Sequence, residues 1–168
     1  AYLTPGYRSA SYRIGTEGQL TYEWDEDAGV RGLERATAFI RAHQGSHDGR
    51  IRGMLYPLQV DTCSPELFRA TRKAADELGV GIQTHVGQNV VEFHEMLRRH
   101  GKTPVELLDE TGLLGPRTIL VHCLMTTAHR LAALPGGRDL EILARSGATV
   151  AHCPLVFARR GNALESFH

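Results

Sequence analysis

Short apolar runs alternate with amphipathic segments over most of the chain. Each run has the length of a β-strand and is bounded by glycine, proline or polar residues. We predict strands at residues 1–6, 51–57, 80–86, 118–123 and 148–154.

The segments between these runs repeat apolar residues at helical spacing and carry helix start and stop signals. Ser64 precedes Pro65, a pair typical of a helix start, and Gly79 follows the last apolar position. Thr103 and Glu106 have the spacing of a capping box. We predict helices at residues 32–42, 65–78, 89–99, 103–112 and 139–145. The tyrosine-rich segment 7–22, with Trp24, is predicted to be a long surface loop, with a pocket wall or a subunit contact as alternatives.

Strands that alternate with helices predict an α/β fold with a parallel sheet of about five strands. Two architectures fit this order, an open doubly wound sheet and a segment of a (β/α)8 TIM barrel. The chain has neither the GxGxxG pattern of dinucleotide-binding sheets nor the GxxxxGK[ST] phosphate loop. We therefore favour part of a barrel and keep an open-sheet cofactor-binding domain as the weaker alternative.

Composition and charge narrow the class of protein further. The 19 Lys and Arg residues balance 19 Asp and Glu, so we expect no nucleic-acid partner held by counterion release. No apolar run approaches the roughly 20 residues of a membrane span, so we expect no membrane partner. Cys63, Cys123 and Cys153 form no CxxC motif and no disulfide framework, which favours a reducing, cytoplasmic location.

Three histidines lie at the carboxyl ends of three successive predicted strands. His85, His122 and His152 are separated by 37 and 30 residues, about one βα repeat each. Because the carboxyl ends of parallel strands meet at one face, these imidazoles are expected to converge there. Neutral imidazole binds zinc or iron and also shuttles protons, so the set predicts a metal or catalytic site. A single histidine at a strand end is more often structural, and only the three together favour function.

The remaining histidines and cysteines are expected to be structural or exposed. Cys123 and Cys153 each follow a strand-end histidine, so side-chain alternation predicts that they face the helices as core thiols. Five other histidines fall on predicted helices or polar loops and are expected to be solvated: His43, His47, His94, His100 and His129.

Three motifs in this order resemble the amidohydrolase superfamily. They are Thr-His-Val-Gly-Gln at 84–88, Leu-Val-His-Cys at 120–123 and Ala-His-Cys-Pro-Leu-Val-Phe-Ala-Arg at 151–159. The pattern is most similar to the cytosine-deaminase-like group, which includes triazine hydrolases and chlorohydrolases. The resemblance implies a (β/α)8 barrel that holds one divalent metal, zinc first and iron second. By position, His85 matches the strand-5 metal ligand, His122 the catalytic strand-6 histidine, and His152 lies on the substrate side of the pocket.

Two features depart from that pattern. Many deaminases of the group have Glu where this chain has Gln88, which cannot carry a proton and can only position or polarise a substrate. We therefore assign Gln88 to catalysis and substrate binding through hydrogen bonds. The chain also contains no His-x-His motif and no Asp after a strand following His152. We expect residues 1–168 to be an internal segment that covers strands 3 to 7 of one catalytic barrel and is inactive alone.

Two functions therefore compete. The first is a metal-dependent hydrolase that acts on C–N or C–Cl bonds of a cyclic, N-heterocyclic small molecule, in a protein that is monomeric or homo-oligomeric. The second is a non-catalytic fragment or homologue with a pocket but no competent metal site, because one or two imidazoles hold a metal weakly.

Overall fold

A parallel sheet organises the chain in the computed structural model, which describes residues 1–3 and 5–165. The strands of this sheet are β1 (Tyr2–Leu3), β2 (Gly6–Tyr7), β5 (Arg52–Pro57), β6 (Gly81–Val86), β7 (Thr118–His122) and β8 (Thr149–Ala151). The two short strands β1 and β2 pair one after the other with β5, and β6, β7 and β8 follow in chain order.

Helices connect these strands, as the periodicity predicts, and a short sixth helix that was not predicted follows the last strand. They are α1 (Glu26–His43), α2 (Pro65–Leu78), α3 (Val90–His100), α4 (Pro104–Glu110), α5 (Asp139–Ser146) and α6 (Pro154–Ala158), with a 3-10 turn at Val60–Thr62. The Ser64 cap, the left-handed Gly79 and the Thr103–Glu106 capping box are all present. The first helix begins six residues earlier than predicted, because its first turn is acidic and is capped by Asp25 rather than marked by apolar residues.

Side-chain alternation in β6 separates two faces of the sheet. Ile82 and Val86 are buried in the main hydrophobic cluster with residues of the helices, whereas Gln83 and His85 lie on the other face and are half-buried. Within the described residues, β1, β2 and β8 each pair along one side only. No described helix is both long and apolar enough to cross a bilayer.

The prediction of a long loop at residues 7–22 is wrong. The segment forms an antiparallel hairpin of β3 (Ala10–Ile14) and β4 (Leu20–Trp24), which leaves the sheet after β2 and turns at Gly15 and Gly18. Aromatic residues favour strands, and Tyr12 meets Tyr22 edge-to-face across the pair, with ring centroids 5.9 Å apart. The Asp25 N–H donates to the Ser9 carbonyl at 2.7 Å and so closes the base of the hairpin.

Two predictions about burial also need correction. His129 is 2% exposed rather than solvated, because its Nδ1 accepts the Leu131 N–H and its Nε2 lies 3.2 Å from the Ala163 carbonyl. Cys123 is buried on the helix side as predicted, but Cys153 is only half-buried and packs against a smaller second cluster.

Candidate active site

The three strand-end histidines lie at the carboxyl ends of neighbouring strands. His85 is the penultimate residue of β6, His122 ends β7, and His152 follows β8. The rings of His85 and His122 are 5.0 Å apart between centroids. His152 is near enough for its charge to lower the pKa of His122. The sheet thus brings together the side chains of His85 and His122, which are 37 residues apart in the sequence.

Contacts to the end of β5 fix the ring of His85. Its Nδ1 lies 2.9 Å from the Leu58 carbonyl and 2.9 Å from the Tyr56 hydroxyl. A carbonyl can only accept, so Nδ1 carries a proton, and in the neutral tautomer the lone pair is on Nε2. A ligating histidine usually donates its other N–H to a carbonyl in this way. His85 is therefore held in the tautomer that a metal ligand needs.

His122 reaches its place through an unusual backbone. By alternation from the buried Thr118 and Leu120, it would face the helices. Instead its φ is +77°, and the Cys123 N–H donates to the Val121 carbonyl at 3.2 Å, which closes a three-residue γ-turn. Cys123 is also left-handed, with φ of +46°. This strained turn brings the imidazole beside His85 while the thiol enters the helix-side core.

The surroundings of His122 keep its ring neutral. Burial, followed by the charges of His85 and His152, lowers the pKa of His122 to about 4. The Phe157 ring packs against it edge-to-face at 4.7 Å between centroids. The Nδ1 atoms of His122 and His152 are buried without a hydrogen-bond partner among the described residues.

Gly87 joins the ends of β6 and β7 through its peptide groups. Its carbonyl accepts the N–H groups of Leu124 and Met125 at 2.9 and 2.7 Å. Its own N–H donates to the Glu92 carboxylate, which also accepts the Gln88 N–H at 3.2 Å. The loop that carries Gln88 is thus fixed from both sides. The Gln88 side chain itself is half-buried.

Glu92 is the supporting residue that sequence reasoning missed. It is 1% exposed and sits at the third position of α3, after the Asn89 cap. The pattern Asn-x-x-Glu is a signal that could have found it, since it is typical of a capping box. Here the carboxylate turns back to the two residues before the cap. Tyr56 was missed too, and no sequence signal marks it.

Because of Glu92, we expect the free energy of unfolding to fall as the pH rises from 5 to 8. Burial and the neighbouring Asp61 charge raise the pKa of Glu92 to about 8, above the value of an exposed carboxyl. Between those two pKa values the folded protein holds a proton that the unfolded chain has lost, so raising the pH favours unfolding. In metal-free whole protein, we expect the thermal midpoint to drop less between pH 5 and 8 in Glu92→Gln than in wild type. Equal drops in the two proteins would contradict this assignment.

The described residues fit part of a metal site. Neutral imidazole suits zinc and iron, and His85 presents a free Nε2 next to His122. No group of three or more His, Cys, Asp or Glu side chains in the described part of the chain is placed to hold a metal. A structural or catalytic site needs three or four ligands, so this segment supplies only part of a ligand set.

The three strand-end histidines do not line the cavity at the amino ends of the strands. A cavity of about 550 Å³ opens at the opposite, amino end of the strands and is lined by residues such as Gly53, Gly81 and Thr149. Its lining includes no histidine or carboxylate. We therefore assign the chemistry to the carboxyl ends.

Comparison with known proteins gives one family. The model of the amidohydrolase family matches residues 21–160. A 5'-deoxyadenosine deaminase of Methanosarcina barkeri is 37% identical over 129 residues, which is 77% of this chain and 28% of that protein. The chain therefore spans less than a third of the length of this relative.

Solved structures agree on the fold. The guanine deaminase of C. acetobutylicum, solved with bound guanine, superposes with a TM-score of 0.74 at 19% identity, over 96% of this chain and 35% of that one. The zinc complex of atrazine chlorohydrolase from Arthrobacter aurescens TC1 gives 0.73 at 20% identity, over 95% and 33%. Together with the family match, this confirms that the α/β sheet is part of a (β/α)8 barrel.

Proposed function

The chain belongs to the amidohydrolase family, and on that premise we propose that the whole protein is a metal-dependent hydrolase of small N-heterocycles. The deaminase relative favours an exocyclic C–N bond over a C–Cl bond. One water is consumed, the amino group leaves as ammonia, and the ring carbon gains an oxygen. The observation that carries the proposal is the placement of His85. Its Nδ1 is held by a carbonyl, its Nε2 is free, and its ring centroid lies 5.0 Å from that of the neutral His122.

Each site residue has a separate task in this proposal. His85 would hold the metal, which when bound supplies a water of lowered pKa. The neutral His122 ring offers one basic nitrogen that can take a proton from that water or polarise the heterocycle. Gln88 positions the heterocycle by hydrogen bonds, and His152 borders it with its unpartnered Nδ1. We propose one divalent ion, zinc before iron, and a cytoplasmic location for a chain whose three cysteines are free.

A specific observation keeps the second function open. No described group of three donors can hold a metal, which suits a homologue with a pocket and no competent metal site. Two measurements on the whole protein separate the hydrolase from the non-catalytic homologue. The first is metal analysis. The second is release of ammonia from 5'-deoxyadenosine, guanine and cytosine, and of chloride from atrazine. Bound zinc or iron with release from any substrate supports the hydrolase. Absence of both supports the non-catalytic homologue.

Replacing Gln88 by glutamate should raise activity rather than abolish it. A carboxyl group at this position can carry a proton between water and ring nitrogen, which an amide cannot. We expect kcat for ammonia release to rise about tenfold or more. The matched control is Gln83→Glu, two residues before His85 on the same face of β6. If Gln88→Glu loses activity with its metal content intact, the amide itself makes the essential contact.

A further inference from the structure

Two buried carboxyl groups that take no part in the proposed reaction lie beside the hairpin. Asp61 is 3% exposed and Glu92 is 1% exposed. Both line a pocket of about 270 Å³, whose outer wall is formed by the hairpin residues Tyr12, Ile14 and Leu20. Carboxyl groups are almost never fully buried unless they are paired, so these two groups need a compensating charge or a proton.

The arginines beside these carboxyl groups are too few to neutralise them. The Arg99 guanidinium ion-pairs with Glu95 at 3.0 Å and donates to the backbone carbonyl of Asp61 at 2.7 Å. The exposed Arg98 also pairs with Glu95. These two arginines face three carboxyl groups, because Glu92 lies in the same region. A proton held between Asp61 and Glu92 leaves no uncompensated buried charge.

The hydrogen bonds of the two carboxyl groups fit a single shared proton. Asp61 Oδ2 accepts the Tyr22 hydroxyl at 2.6 Å, whereas Asp61 Oδ1 is buried without a hydrogen bond of regular geometry among the described residues. The Glu92 carboxyl accepts the N–H groups of Gly87 and Gln88. If both groups were ionised, Oδ1 would have no donor. A protonated Glu92 supplies one, directly or through a bridging water.

The groups that surround the two carboxyls keep their charge states near neutral pH. Burial raises the pKa of Asp61, and burial with the Asp61 charge raises the pKa of Glu92 to about 8. Burial also raises the pKa of Tyr22 and of Cys123, so both stay protonated there. Hydrogen bonding to an arginine lowers the pKa of Glu95, which stays ionised, and the guanidinium groups stay charged. A charge change near pH 8 at this place therefore belongs to the two buried carboxyls.

We propose that Asp61 and Glu92 share one proton and that this proton holds the hairpin closed against the loop that carries Gln88. The Tyr22 hydroxyl links the hairpin to Asp61, and the Gln88 N–H links the loop to Glu92. When the shared proton is lost, two like charges face each other in a buried pocket and draw in water. The hairpin wall gives way, since its outer side is solvent and Ile14 is 72% exposed.

Fluorine NMR of the whole protein labelled with 5-fluorotryptophan tests this proposal through Trp24. The Trp24 ring lies 5.0 Å from the Arg99 guanidinium, and Trp24→Phe assigns its resonance. In wild type we expect this resonance to shift with a midpoint at about pH 8. In Glu92→Gln, which cannot ionise, the shift should be lost. In Asp61→Asn the midpoint should move to lower pH, because a charge that raises the pKa of Glu92 is removed.

The control is Glu23→Gln, which removes an exposed hairpin carboxyl that precedes Trp24 and pairs with Arg13 at 2.9 Å. This variant should keep the wild-type midpoint. A resonance that does not move in wild type, or a midpoint that is unchanged in Asp61→Asn, would overturn the proposal even if Glu92→Gln fails to fold. The measurement needs neither metal nor substrate, so its outcome is independent of the proposed function.

Discussion

Replacing His85 by alanine in the whole protein is expected to remove most of the bound metal and to lower kcat/KM at least about a thousandfold. The variant loses the imidazole at the end of β6 whose Nδ1 lies 2.9 Å from the Leu58 carbonyl. A metal with one ligand missing binds weakly and leaves its water less acidic. Metal content by mass spectrometry and ammonia release measure the two effects separately.

The control for this experiment is His94→Ala. His94 lies on α3, nine residues from His85, and its side chain is exposed. This variant should keep wild-type metal content and kcat/KM. If His85→Ala retains its metal and activity, His85 is structural and the assignment of His85 as a metal ligand is wrong.

Replacing Gly87 by alanine is expected to cost about 2–4 kcal/mol in the free energy of unfolding and to lower activity with it. Gly87 has φ of +58°, and a Cβ atom there would lie 2.7 Å from the Met125 carbonyl oxygen. Backbone atoms cannot turn aside as a flexible side chain can. The two loops that carry Gln88 and Met125 must therefore separate, and urea unfolding of the whole protein measures the cost.

Gly101→Ala isolates the backbone part of that cost. Gly101 ends α3 with nearly the same φ, +64°, but a Cβ atom there meets nothing within 4 Å. Its substitution should cost about 1 kcal/mol and leave kcat unchanged. Equal losses of stability in the two variants would show that the close approach to Met125 does not matter.

The repeating part of this fold follows from local signals. Ser64, Gly79 and Thr103 mark helix ends through backbone hydrogen bonds that need no distant partner, and the structure places all three as predicted. The meeting of His85 and His122 is also predictable, because parallel strands end at one face. The catalytic and metal-binding roles of these residues stay predictions.

The features that the sequence did not reveal depend on non-local contacts. The hairpin gains its stability from Arg99, 75 residues beyond Trp24, packed against its aromatic rings. His129 is buried by the carbonyl of Ala163. The γ-turn at His122 was not predicted, because no glycine there signals a positive φ. Such contacts form only after the chain has folded.

The closed base of the hairpin makes residues 10–24 an exchangeable module. Because Ser9 and Asp25 already hydrogen-bond, a hairpin of a different length or sequence can replace the segment without moving β2 or the start of α1. Insertions between such fixed ends add little to the entropy of closing the loop. A replacement hairpin would therefore change the surface beside the carboxyl ends of β5 and β6 and leave the parallel sheet in place.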